Sequence, residues 1–138
     1  MKKYIIAGIG TNIGKTVASA VLVEALQADY WKPIQAGNLE ETDADFVRKY
    51  AKNHQTVFPE AFLLKEPVSP HLAAKLESKV ITIEELTLVN ANNHLIVETA
   101  GGLLSPLSEN MLCIDLIKEL QLTVILVSMS YLGSINHT

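Results

Sequence analysis

Residues 8–16 read Gly-Ile-Gly-Thr-Asn-Ile-Gly-Lys-Thr. The spacing comes close to G-x-x-x-x-G-K-[ST], a loop whose backbone N–H groups cradle phosphate. In that loop the lysine reaches the outer phosphates and the hydroxyl sits on Mg²⁺. Here five residues separate Gly8 from Gly14 where the pattern has four, and Ile9 stands at the expected glycine. The stretch therefore reads as a variant phosphate loop, the alternative being a plain strand-to-helix turn. Lys15 and Thr16 are its reactive pair. A phosphate site with Mg²⁺ draws carboxylates from elsewhere, because Mg²⁺ takes hard oxygen ligands and keeps several waters. Asp43 and Glu98 are the candidates, giving Thr16, Asp43 and Glu98 as a metal set. Asp43 could instead serve only in helix capping, whereas an acid ending an apolar strand is costly unless paired. Lys32, between Trp31 and Pro33, is either a second cation for phosphoryl transfer or a solvated surface lysine. Gly101 and Gly102 would let backbone approach a ligand closely.

These residues need elements to hold them. Tyr4–Ala7 is a short apolar run before glycines and reads as a buried strand. Lys15–Ala28 reads as a helix with a stripe of Val17, Ala18, Val21, Leu22, Ala25 and Leu26. Trp31–Gln35 is a second strand, limited by Pro33. Thr42–Ala51 is a helix with a capping-box start at Thr42 and Asp45. Phe58–His71, with Pro59, Pro67 and Pro70, is a loop with short extended pieces. A brief helix over Leu72–Glu77 follows. Thr82–Ala91 is a helix with Thr82 as N-cap and Glu85 three residues on. His94–Thr99 is a third buried strand, Met111–Leu120 an amphipathic helix, and Leu122–Val127 a fourth buried strand. Apolar strands alternating with helices, without polar alternation in the strands, predict an α/β fold: a doubly wound parallel sheet, P-loop NTPase-like. Ligands then bind beyond the carboxyl ends of the strands, where Asp43 and Glu98 both fall.

The 138 residues suit one domain. An apolar fraction of 49% against 19% charged argues against disorder. The net charge of −4 leaves no electrostatic footprint for nucleic acid. Cys113 is the single cysteine, which rules out an internal disulfide and a cysteine metal cluster. Its apolar neighbours place it as a buried helical thiol, not a nucleophile. No apolar run approaches the roughly 20 residues of a membrane span. The resulting expectation is a cytoplasmic protein with no membrane partner.

Six stretches, GTNIGKT, KPIQAG, TDAD, PVSPHLAA, VETAGGLLSPLSE and VILVSMSYLGSINH, occur in this order. Together they resemble the dethiobiotin synthetase family, nearly over the whole chain. That family is an ATP-dependent ligase of biotin biosynthesis with a variant phosphate loop. The resemblance implies a homodimer acting on small molecules: ATP, CO₂ and 7,8-diaminononanoate (the diaminopelargonate of the pathway), with Mg²⁺. One amine forms a carbamate, the carbamate attacks the γ-phosphate, and the second amine closes the ureido ring and expels phosphate. Lys15 and Thr16 match the family's phosphate lysine and Mg²⁺ hydroxyl. Thr11, Asn12, Ile13 and Gly14 match the rest of the nucleotide loop, and Lys32 the catalytic lysine. Asp43 and Glu98 match the metal-linked acids, and Glu98, Thr99, Ala100 and Gly101 a second nucleotide-contacting stretch. Gly133 and Asn136 match a segment that reaches the diamine across the dimer interface. His71 fits the SPH motif in a structural role.

Two positions depart from the family pattern. Ala36 stands at a substrate-contacting position where a serine or threonine hydroxyl is common, and Asn12 where an acid is common. The family continues beyond the INH motif with the residues that hold the adenine base. The resemblance thus implies that residues 1–138 are one P-loop-type domain, the N-terminal part of the family's. Two other readings stand beside it. One is an ATPase switch of the partitioning or septum-positioning kind, against which the missing signature lysine at Gly10 counts. The other is an inactive phosphate-binding fragment.

Overall fold

The computed structural model describes residues 1–53 and 56–138. In chain order the elements are β1 (Lys3–Gly8), α1 (Lys15–Leu26), β2 (Asp29–Trp31), β3 (Ile34–Ala36), α2 (Asp43–Tyr50), β4 (Val57–Phe58), β5 (Phe62–Leu64) and α3 (Pro70–Leu76). After a 3₁₀ turn at Glu84–Leu86 come β6 (Leu95–Glu98), β7 (Pro106–Ser108), β8 (Met111–Leu112), α4 (Cys113–Leu120), β9 (Thr123–Val127) and α5 (Ser134–His137). The main sheet has the order β4-β2-β6-β1-β9, and every pairing in it is parallel. Parallel neighbours need crossovers, which the helices supply.

Both faces of this sheet are covered along its central strands β1, β2 and β6, as the apolar strands predict. Along the central strands successive residues fall into two separate cores. Ile5, Trp31, Leu95 and Val97 pack on one side with Leu116 and Ile117 of α4 and Ala73 and Ala74 of α3. Ile6, Tyr30 and Ile96 pack on the other with Ala20 and Val23 of α1 and Ala44 and Val47 of α2. The period-two geometry of a strand sends neighbours to opposite faces. The doubly wound α/β class is therefore present.

Several local expectations change. The strand expected over Trp31–Gln35 breaks at Lys32–Pro33. β2 ends at Trp31, and Ile34–Ala36 pairs instead with Phe62–Leu64 in a separate two-stranded parallel sheet. Proline has no N–H to donate, and the Pro33 carbonyl takes the Ala61 and Phe62 N–H groups. The helix expected over Thr82–Ala91 is absent apart from the 3₁₀ turn. Thr82 gives its hydroxyl to the Glu85 carboxylate and not to a backbone cap. Ile81, Leu86 and Ala91 are all drawn into the core, and tertiary packing overrides the local signal.

The stripe expected on α1 is also wrong. Val17 and Val21 are exposed, while Ala20, Val23, Ser19 and Lys15 form the buried face. α1 is apolar on more than one side, so spacing alone could not choose the stripe. The helix expected over Met111–Leu120 starts only at Cys113, because Met111 and Leu112 pair with β7. Cys113 is buried at its first residue. β9, expected to be buried, is an edge strand whose Val124 and Leu126 are exposed. The capping box of α2 forms as the spacing demands, with Thr42 accepting from the Asp45 N–H and Asp45 from the Thr42 N–H.

Candidate functional site

A cleft of about 640 Å³ opens at the carboxyl ends of β1, β2 and β6. The loop after β1 forms one wall. Gly14, the N-cap of α1, adopts φ 101°, and Asn12 φ 56°, so the loop turns through left-handed conformations that favour Gly and Asn. Gly8 has no side chain for a reason visible in space: a Cβ there would lie 2.6 Å from Cδ1 of Ile13. Ile13 thus folds back over Gly8 instead of facing the cleft. Gly102 serves the loop as well, since a Cβ there would stand 3.2 Å from the Ile9 carbonyl oxygen. Its close approach is to the loop after β1, within the protein.

Thr11, Asn12, Gly14, Lys15 and Thr16 line the cleft on this side. Lys15 is nearly buried, and its Nζ donates to the Gly10 carbonyl at 2.7 Å. Burial, then the neighbouring Lys32 charge, hold its ammonium below the ordinary range. That lysine has donors to spare for an anion.

The opposite wall comes from β2, β3 and α2. Lys32 lies just past β2, buried at 6% exposure, so it is not a solvated surface lysine. It is paired with Asp43 at the start of α2 and lies 3.5 Å from Oε1 of Glu98. Burial by itself would lower the Lys32 ammonium, but the Glu98 and Asp43 charges and hydrogen bonds outweigh it and raise it. Gln35 connects this wall internally: its amide donates to the Gly37 carbonyl at 2.8 Å, and its oxygen accepts from the Asp43 N–H at 3.4 Å. Ala36 lines the cleft as a bare methyl.

Glu98 closes the floor at the end of β6 and is fully buried. Its cost is met by the donors around it. Thr16, Ser19 and Tyr30 hydroxyls donate to it at 2.8, 2.7 and 2.9 Å. Tyr30 is held protonated, its phenol pushed well up by burial and by the Glu98 charge. Ser19 and Tyr30 escaped the sequence reading. For Ser19 the signal was its place one turn beyond Lys15; for Tyr30 there was none, because only the folded sheet sets its strand beside β6.

The structure thus brings Lys15, Thr16, Lys32, Asp43 and Glu98 together with Thr11, Asn12, Gly14, Ala36, Ala100 and Gly101. Thr99, between Glu98 and Ala100, does not line the cleft; its hydroxyl donates to the Ile6 carbonyl at 3.1 Å. Gly133 and Asn136, at α5, do not line the cleft, and neither does His71. Among the described residues no cluster of three His, Cys, Asp or Glu could hold a metal ion. Thr16, Asp43 and Glu98 contribute a hydroxyl and two carboxylates, with the Lys32 ammonium between the acids.

A family model described as an AAA domain matches residues 2–138. Curated relatives named ATP-dependent dethiobiotin synthetase align along the chain. The protein of Cytophaga hutchinsonii is 52% identical over 100% of this chain and 68% of its own length. That of Christiangramia forsetii is 49% identical over 99% of this chain and 66% of its own. That of Chlamydia pneumoniae is 45% identical over 100% of this chain and 62% of its own. The chain belongs to the dethiobiotin synthetase family. It spans roughly two-thirds of the length of these relatives. By the names of these relatives the family is one of ATP-dependent synthetases. No helix among the described residues is long and apolar enough to cross a membrane.

Proposed function

We propose that this chain performs the ATP-dependent carboxylation and ring closure of 7,8-diaminononanoate with CO₂, giving dethiobiotin, ADP and phosphate. The observation that carries this is the convergence of two buried lysines from opposite walls, Lys15 and Lys32, on one cleft floored by Glu98. The names of the relatives supply ATP and the product, dethiobiotin. One amine takes up CO₂ as a carbamate. A carbamate oxygen attacks the γ-phosphorus and ADP leaves. The second amine attacks the carbonyl carbon of the mixed anhydride, the ring closes and phosphate departs. Both amines belong to one molecule, so closure draws on proximity.

The loop N–H groups of Thr11–Gly14 and the start of α1 hold the phosphates. Lys15 spends its free donors on their oxygens. Lys32 meets the carbamate and the transferred phosphoryl group, where its charge offsets what develops in the transition state. Ala100, Gly101 and Thr99 form the second nucleotide stretch. The oxygen donors Thr16, Asp43 and Glu98 suit Mg²⁺, a hard cation, provided Lys32 leaves the carboxylates. When bound, the ion neutralises phosphate charge. Ala36 meets substrate through its methyl and backbone alone. We further infer a cytoplasmic homodimer in which Gly133 and Asn136 reach the partner's diamine, consistent with their exposed position away from their own cleft.

The test is phosphate release from Mg-ATP and bicarbonate, with and without the diamine. Release that requires the diamine is the expected result. Release indifferent to it points to an ATPase switch, and no release overturns the proposal for this chain.

A further inference from the structure

The two oxygens of Glu98 live in different surroundings. Oε2 accepts from Ser19 at 2.7 Å and from Tyr30 at 2.9 Å, and both donors are fully buried at 0% exposure. Oε1 accepts from Thr16 at 2.8 Å and lies 3.5 Å from the Lys32 ammonium, two groups that line the cleft. A hydroxyl carries one proton, so Ser19 and Tyr30 each commit their single donor to the inner oxygen. The terminal torsion of a glutamate is broad, and nothing in its own rotamer fixes which way the carboxylate is turned. We infer that Ser19 and Tyr30 are positioning residues: they tie down Oε2 so that Oε1 alone is presented, beside Thr16, to the cation that accompanies the nucleotide phosphates.

This rests on the Mg-nucleotide reading above and adds two residues to it that touch neither nucleotide nor diamine. A purely structural role would make the same hydrogen bonds, so the test must separate the two. ADP affinity is measured by calorimetry with Mg²⁺ and again in EDTA, for the unaltered chain, Tyr30→Phe and Ser19→Ala. Circular dichroism establishes that each variant is folded. Ser19→Ala removes a single buried oxygen and carries the test should Tyr30→Phe not fold. The expected result is that each variant loses about tenfold of the Mg²⁺-dependent gain, the effect of one hydrogen bond to a charged group. Affinity in EDTA changes less than about twofold by the same argument. An equal loss with and without Mg²⁺, or an unchanged gain, overturns the inference. If the unaltered chain binds ADP no better with Mg²⁺, the metal reading itself fails, and a chain that binds no ADP at all overturns the proposed function.

Discussion

The two walls of the cleft each offer one buried lysine, and the two meet opposite partners. On the wall formed by the loop after β1, Lys15 donates, among the described residues, to one backbone carbonyl, that of Gly10. On the β2–α2 wall Lys32 lies between Asp43 and Glu98. Desolvation acts on both, yet it lowers the first ammonium and is outweighed at the second. The contrast separates a cation with no carboxylate bonded to it among the described residues from one already balanced by the protein's own acids. A buried charge without a carboxylate partner is an investment in a ligand; a buried ion pair must be opened before it can act.

The sharpest way to break this contrast is to remove each charge in turn. Lys32→Met leaves Asp43 and the fully buried Glu98 without their ammonium. Its unfolding free energy should fall by about 3 kcal/mol, the low end for stranding one side of a buried pair because Asp43 is partly exposed. Lys15→Met should leave stability unchanged or raise it, and instead cut ADP affinity about ten- to a hundredfold. Urea unfolding and calorimetry on the two variants check both. Equal stability losses would sink the comparison.

Alkaline pH should pull the two apart more gently. Lys32 has a raised ammonium in the folded state, so its stabilisation is complete below the ordinary value of 10.5 and is lost as pH rises through the raised one. Lys15 is lowered, so the folded state binds fewer protons than the unfolded state between the lowered value and 10.5. Its penalty is relieved as pH climbs through that window, and phosphate affinity falls there. Thermal unfolding from pH 7 upward should show the alkaline loss disappear in Lys32→Met and the earlier gain disappear in Lys15→Met.

The smallest effect sharpens the β2–α2 wall. Ala36→Ser restores a hydroxyl at the cleft lining. One added hydrogen bond to substrate should tighten diamine binding by about 0.5–1.5 kcal/mol, read as a lower KM for the diamine at unchanged stability. An unchanged KM would mean that backbone N–H already fills this role.

Much of this site was legible in the order of residue types. A strand ending in Gly8, a helix opening with Lys15-Thr16, and an acid closing the Leu-Ile-Val strand bring these side chains to one sheet end, because backbone periodicity and loop sterics are local. The capping box of α2 is equally local, and it placed Asp43. Folding alone decided how the acids are shared. Only the β4-β2-β6-β1-β9 order sets Tyr30 beside Glu98 and lets Ser19 reach the same carboxylate from α1. Only tertiary packing could choose the buried stripe of α1 and dissolve the Thr82–Ala91 helix. Local sequence sets what a segment can form, but burial and charge pairing depend on what the rest of the chain brings against it.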